Sequence, residues 1–349
     1  MRLADRIAQC KTPFVVENTK DRSITHLNNA AAYAKDIDRC ATRYVLSDDL
    51  ARLCTALAYS KGASTLACAD LLHVPAERVW VEWAEAPWRD ELARYGFKSA
   101  AGTSGAGRRG VFIESIPRGR RGLLRTFWAD GESEVQVLSS SMEAYFDFDT
   151  AEGEDPQFLD RQQQTAFCVA DDEVGEADIL RRCFRFRFER SWQDYYDRAQ
   201  LTQAQTTALS HHALGTIAID IPVLLAFFLL LMTRPGLPRR PLMLERLNKA
   251  RARSGKAALL EQTEVFAPIL PEYKSFSGGS SAGSRRLRRL HHVRGHLVRR
   301  GNKLFWRVPH LRGNARAGSI RARTVTWQFD PSHHASNSGG ISEPAALMS

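Results

Sequence analysis

The sequence predicts an α+β protein with a helical N-terminal part, a central antiparallel sheet, a buried apolar helix and a small basic C-terminal β-unit. Three observations point there. Residues 1–74 are rich in Ala and Leu and poor in Gly and Pro, the composition of helices. Between residues 79 and 138, short runs of β-branched, aromatic and leucine residues are separated by turn signals, as in consecutive antiparallel strands. A single strongly apolar stretch at 213–232 then precedes a C-terminal region dense in Arg and His.

In the helical part, Ser47 followed by Asp48 and Asp49 marks a helix start. The hydroxyl caps free N–H groups, and the carboxylates suit the positive helix end. Leu50, Leu53, Cys54 and Leu57 follow at helical spacing, and Pro75 closes the region. Val79, Val81 and Trp83 then alternate with Trp80 and Glu82, a strand signature that puts Glu82 on the solvent side of the pleat. Residues 101–111, AGTSGAGRRGV, are glycine-rich. A phosphate loop would end in Gly-Lys-Ser/Thr, and here Arg108-Arg109-Gly110 stands instead. Strand follows where a dinucleotide fingerprint needs a helix, so neither nucleotide motif is present.

The runs Val111–Ile116, Leu123–Trp128 and Glu134–Leu138 are separated by Pro117-Arg118-Gly119 and Asp130-Gly131, and read as an antiparallel meander. The acidic stretch from Glu143 to Asp178 reads as loop-rich. Cys183-Phe184-Arg185-Phe186-Arg187-Phe188 alternates strictly, so a strand there turns three Phe to the core and two Arg away from it. In the apolar stretch, Ile221–Met232 is uninterrupted for only twelve residues. A membrane span needs about 20. Asp220 is near the middle of any such span and Pro222 suits a first helical turn, so a core helix starting near 221 is expected rather than a membrane helix. After the break at 233–238, a basic helix carries Arg246, Lys249, Arg251, Arg253 and Lys256 around Leu244 and Leu247. It reads either as a phosphate-contacting helix or as a solvated face.

A chain of 349 residues suggests two domains, or one body with appendages. The expected division is a mixed body over 1–273, a Ser/Gly-rich linker over 274–284, a basic β-unit over 285–330 and a disordered tail over 331–349. Six cysteines without a CxxC pair exclude a disulfide scaffold and a thiolate zinc site. The N-terminus carries no continuous apolar segment, which makes the cytoplasm of a host cell the expected compartment.

Charge is strongly partitioned. Residues 233–329 hold 22 Lys/Arg and 4 Asp/Glu, a net of +18, whereas residues 130–178 hold 15 Asp/Glu and one Arg, a net of −14. Within the basic region, residues 285–323 contain thirteen Arg/Lys and no acid, interspersed with His291, His292, His296 and His310. Nucleic acid is the expected partner, held by Arg294, Arg299, Arg300, Lys303, Arg307 and Arg312. Two further readings stay open for the cluster. His292 and His296 can serve as general acid and base on a phosphodiester, since i, i+4 spacing shares one face of a strand or helix. His292, His296 and His310 also form a possible three-imidazole metal set, which the surrounding positive charge opposes. No cofactor is expected. The competing reading from another class is a structural or interaction module whose basic unit docks on the chain's own acidic block.

The pattern His291-x-Val293-Arg294-Gly295-His296-x-x-Arg299-Arg300, then Trp306 and His310-x-Arg312-Gly313, resembles the C-terminal signature of an uncharacterised protein family of phages and prophages in proteobacteria. Arg246-Leu247-Asn248-Lys249-Ala250-Arg251 with Gly255-Lys256 is similar to that family too, as is the Pro75 to Trp83 segment. The resemblance touches three places over about 250 residues. It implies a phage or prophage setting and brings no activity, cofactor or catalytic residue.

Overall fold

The computed structural model describes residues 2–10, 14–17, 25–28, 30–59, 66–97, 107–116, 118–129, 137–151, 154, 156, 178–190, 192, 202–233, 236–268, 289–293, 296–307, 310–312 and 314–319. The expected linker and tail lie outside these residues. The class is α+β, built on an eight-stranded sheet.

The N-terminal part is less helical than its composition predicts. Helix α1 (Leu3–Ala8) is followed by a hairpin of β1 (Phe14–Glu17) and β2 (Thr25–Asn28), and then by a 3-10 turn running into α2 (Ala34–Asp38). Next comes strand β3 (Thr42–Leu46), and then α3 (Asp48–Tyr59). Helix α3 starts where the Ser47-Asp48-Asp49 signal puts it: the Leu50 N–H donates to Ser47 Oγ at 3.3 Å, and Leu50, Cys54 and Leu57 are buried. A 3-10 turn at Leu66–Leu71 leads to β4 (Arg78–Ala84).

Strands β5 (Arg108–Ser115), β6 (Arg121–Ala129), β7 (Val137–Asp147) and β8 (Phe184–Phe188) continue antiparallel from β4. The remaining strands are β9 (Arg239–Pro241) and β10 (Thr263–Val265), and the order across the sheet is β8-β7-β6-β5-β4-β3-β10-β9. The expected meander is therefore present, but the sheet as a whole is mixed, because β3 runs parallel to both β4 and β10. The connection through α3 explains the first parallel pairing, since a helical crossover brings the next strand back in the same direction. Strand β7 also reaches to Asp147, so Glu143–Asp147 is strand rather than loop.

One face of the sheet carries the larger core. Val79, Val81, Trp83, Val111, Ile113, Leu124, Ala144, Phe146, Phe184 and Phe186 share this core with α3, α4 (Glu85–Ala93), α5 (Asp178–Cys183), α6 (Gln203–Ala218) and α7 (Ile221–Leu231). The predicted Phe/Arg alternation is present with all three phenylalanines buried, but Arg185 is buried as well and donates to the Arg181 carbonyl at 2.7 Å. In α7, every residue from Ile221 to Leu230 is buried. Ala213–Leu231 is long and apolar enough to cross a membrane by length and composition, with a mean hydropathy of 2.4. In this structure 78% of its most apolar window is buried. The opposite face carries a smaller cluster in which Leu3 and Ile7 of α1 cover Trp80, Phe112 and Phe127. Gly110 makes that close approach possible, because a Cβ there would stand 2.4 Å from the Trp80 ring. The glycine-rich run thus contributes packing at this point.

The adjacent arginines of that run turn to opposite faces, and each meets a buried carboxylate. On the smaller face, Glu82 is fully buried, which overturns its expected solvent position. It accepts from Trp80 Nε1 at 3.0 Å, from the backbone N–H of Ala4 at 3.0 Å and Leu3 at 3.4 Å, and from Arg108 Nε at 3.0 Å. On the larger face, Arg109 donates to both oxygens of Asp220, from Nε at 2.8 Å and Nη2 at 2.9 Å, and stacks 4.8 Å from the Trp88 ring centroid. Glu85 Oε1 lies 3.7 Å from Arg109 Nη1. Asp220 stands at the N-cap of α7 without capping it, because its side chain is committed to Arg109. Burial, only partly offset by Arg109, pushes the Asp220 carboxyl above the usual carboxylate range.

Glu143, Asp147 and Asp149 of the acidic block pair with arginines on or beside the same sheet. Arg78, Glu114, Arg125, Glu143 and Arg187 form a ladder of alternating charge across β4 to β8 on the smaller face. Arg125 donates to Glu143 at 2.9 Å and to Glu114 at 3.3 Å. Asp147 pairs with Arg121 and Asp149 with Arg120.

The chain divides into two compact units: Met1–Pro271 with His296–Val308, and Glu272–Gly295 with Pro309–Ser349. Residues 296–308 thereby group with the first unit, whereas the sequence reading has one β-unit over 285–330. Strands β12 (His296–Arg300) and β13 (Lys303–Arg307) form a hairpin that belongs to the first unit. The second unit contains a three-stranded sheet of order β14-β11-β15, with β11 (Arg289–Val293) antiparallel to β14 (His310–Arg312) and parallel to β15 (Asn314–Ser319). Of the strand expected over 319–329, only Ser319 lies among the described residues.

Candidate nucleic-acid interface

The β12–β13 hairpin sorts its side chains by alternation. Its register pairs His296 with Arg307, Leu297 with Trp306, Val298 with Phe305, Arg299 with Leu304 and Arg300 with Lys303. Directly paired residues share a face. One face therefore holds Leu297, Trp306, Leu304 and Arg299, and the other Val298, Phe305, Arg300, Lys303 and Arg307. The first faces the body: Leu304 is buried in the larger core, and Leu297 and Trp306 pack against it. The second is turned outward, with Arg300, Lys303 and Arg307 exposed around the half-buried Val298 and Phe305. The two-residue turn begins at Gly301 with φ +57°, a left-handed conformation that favours glycine and suits a tight hairpin.

Arg299 falls on the body-facing side and forms a bidentate pair with Asp70, Nη1 to Oδ1 at 2.8 Å and Nη2 to Oδ2 at 2.5 Å. It is therefore a docking residue. Its partner lies outside the acidic block at 130–178. The Arg299 guanidinium holds the Asp70 carboxyl below the usual carboxylate range. A folded-state pKa below the unfolded one stabilises above the unfolded value, about 3.9, and that contribution is lost as pH falls through the folded value. Amide protection in residues 296–307, taken relative to the intrinsic exchange rate at each pH, is accordingly expected to fall below about pH 4 in the wild type. In Asp70→Asn it is expected to be lower at neutral pH already, with a smaller further fall in acid. Equal exchange in the two proteins at neutral pH would show that the pair does not hold the hairpin.

The other sequence-predicted residues separate. Arg294 lies outside the described residues. Arg312 is on β14, in register with His291. His292 is on β11 opposite Leu311, and His310 is opposite Val293. His296 opens β12 in the other compact unit. The shared face expected from i, i+4 spacing is thus absent: His292 and His296 are on different strands of different sheets, because strand pairing overrides local spacing. Among the described residues, no group of three His, Cys, Asp or Glu is placed to hold a metal.

A second cationic surface belongs to the first unit. Helix α8 (Glu245–Arg253) has no buried residue, and Arg246, Lys249 and Arg253 are exposed. Asn248 fastens the helix to the following segment, accepting from the Leu259 N–H at 2.8 Å and donating to the Leu259 carbonyl at 2.9 Å. The basic run was legible in the sequence, whereas its position at the sheet edge, after β9, was not. No protein-family model, curated protein or solved structure matches the chain.

Proposed function

We propose that this protein associates with nucleic acid through the outward face of the β12–β13 hairpin, with little sequence preference, as an accessory protein of a phage or prophage. The observation that supports the reading most is the grouping of Arg300, Lys303 and Arg307 around Phe305 and Val298 on one accessible face, while the other face anchors the hairpin. Guanidinium and ammonium groups meet phosphates, and an aromatic ring among them offers a stacking surface for an unpaired base. No sequence-reading element enters this picture, because phosphate contacts position a protein without specifying bases.

The test is binding of duplex DNA and of single-stranded RNA, followed by fluorescence anisotropy across a salt series. Each cation engaged on duplex DNA contributes a slope of about −0.9 in log K against log salt. Replacing Arg300, Lys303 and Arg307 together by Gln is expected to flatten the wild-type slope by about 2.7 and to weaken binding to every sequence alike. Phe305→Ala is expected to weaken the single strand by about 1–3 kcal/mol and the duplex far less. Absence of wild-type binding at about 50–100 mM salt, or an unchanged slope in the triple variant, would sink the proposal.

A further inference from the structure

Helix α8 carries two exposed stripes side by side. Arg246, Lys249 and Arg253 are spaced i, i+3, i+7 and share one stripe. Leu247 and Ala250, spaced i, i+3, form the neighbouring one, and Met243 stands two residues before the helix. All six are exposed, Met243 by 83% and Leu247 by 48%. These two and Phe97 are the exposed large apolar residues among those described. Residues 245–260 hold five cations and the single acid Glu245, and the three stripe cations take part in no ion pair among the described residues. Arg251 donates to the Ala257 carbonyl at 2.7 Å. The arm is thus held by Asn248 and Arg251, while its cationic and apolar stripes are left to solvent. Beneath it, four leucines of the same segment, at 242, 244, 259 and 260, line one side of a pocket of about 420 Å³ whose other lining includes Arg2, Asp5 and Arg108.

We infer that this arm binds an anionic membrane surface. Phosphates alone would call for the cations and leave Met243 and Leu247 without a purpose. A bilayer of anionic lipid takes both stripes, with the cations among the headgroups and the apolar side chains at the acyl boundary. The helix lies on such a surface and does not cross it, being nine residues long. The inference is independent of the hairpin's proposed role, since the hairpin cations are on separate strands with a separate anchor.

The experiment is co-sedimentation of the full chain with vesicles of phosphatidylcholine alone and of phosphatidylcholine with about 30% phosphatidylglycerol. The wild type is expected to sediment with the anionic vesicles only. Each cation near an anionic leaflet is worth about a fivefold gain, so Arg246→Gln, Lys249→Gln and Arg253→Gln together are expected to weaken partitioning about a hundredfold. Met243→Ser with Leu247→Ser is expected to weaken it about tenfold and to leave duplex-DNA affinity within about twofold. All five positions are exposed, so circular dichroism is expected to match the wild type. The hairpin triple variant is expected to keep vesicle binding, which separates failure of this inference from failure of the nucleic-acid reading. No wild-type sedimentation, equal binding to both vesicle types, or an apolar variant that loses DNA and keeps vesicles would overturn the assignment.

Discussion

Arg109→Ala is expected to destabilise the protein by about 3–5 kcal/mol, the range for removing one partner of a buried ion pair. Arg109 is 7% exposed and Asp220 fully buried, so the substitution strands a carboxylate where water cannot reach it. Glu85 lies beside the pair and keeps Arg89, which donates to it from Nε at 3.0 Å. The Asp220 carboxyl already sits above its ordinary range through burial, and without Arg109 it moves higher. A raised folded-state pKa contributes stability below the unfolded value and loses it as pH rises through the folded one. The deficit of Arg109→Ala relative to wild type is therefore expected to be smallest in acid and to grow toward neutral pH. Urea unfolding across that range checks both statements. The double replacement Arg109→Met with Asp220→Leu is expected to recover most of the loss, since exchanging a whole buried pair for apolar groups is often neutral. A loss below about 1 kcal/mol in Arg109→Ala would mean that water reaches the pair.

Glu82→Ala is expected to cost a similar amount, about 3–5 kcal/mol, and to have a distinct local signature. The carboxylate serves four donors: two backbone N–H groups at the start of α1, the Trp80 indole and Arg108. Without it these are left unpartnered beneath α1, and the helix loses an anion at its positive end. Faster amide exchange over residues 2–10 is expected before global unfolding, because α1 is short and is held to the sheet by Leu3, Ile7 and this carboxylate. Glu82→Gln keeps an acceptor but removes the charge facing Arg108, so an intermediate loss is expected. If Glu82→Ala leaves exchange in α1 unchanged, the carboxylate is not what tethers that helix.

Much of the architecture was legible from local pattern. The meander, the start of α3, the burial of three phenylalanines on β8 and the start of α7 near residue 221 follow from alternation, helical spacing and turn residues, all of which act within a few positions. The proposed nucleic-acid surface was partly legible in the same way. Arg300, Lys303 and Arg307 alternate with the apolar residues that anchor their strands, but nothing local tells which side of a hairpin meets the body.

The sequence by itself determined the α+β class, most element types, the separation of charge and the amphipathic faces, because each depends on neighbours in the chain. Only the tertiary structure decided that Glu82 is buried with Arg108, 26 residues away, that Asp220 pairs with Arg109 across 111 residues, and that Arg299 meets Asp70 across 229. It also decided that β3 joins the sheet in parallel and that the β12–β13 hairpin belongs to the first unit. The physical reason is common to all of these. A charged side chain in a strand faces solvent or a partner according to what lies above that face, and what lies above it comes from a distant part of the chain.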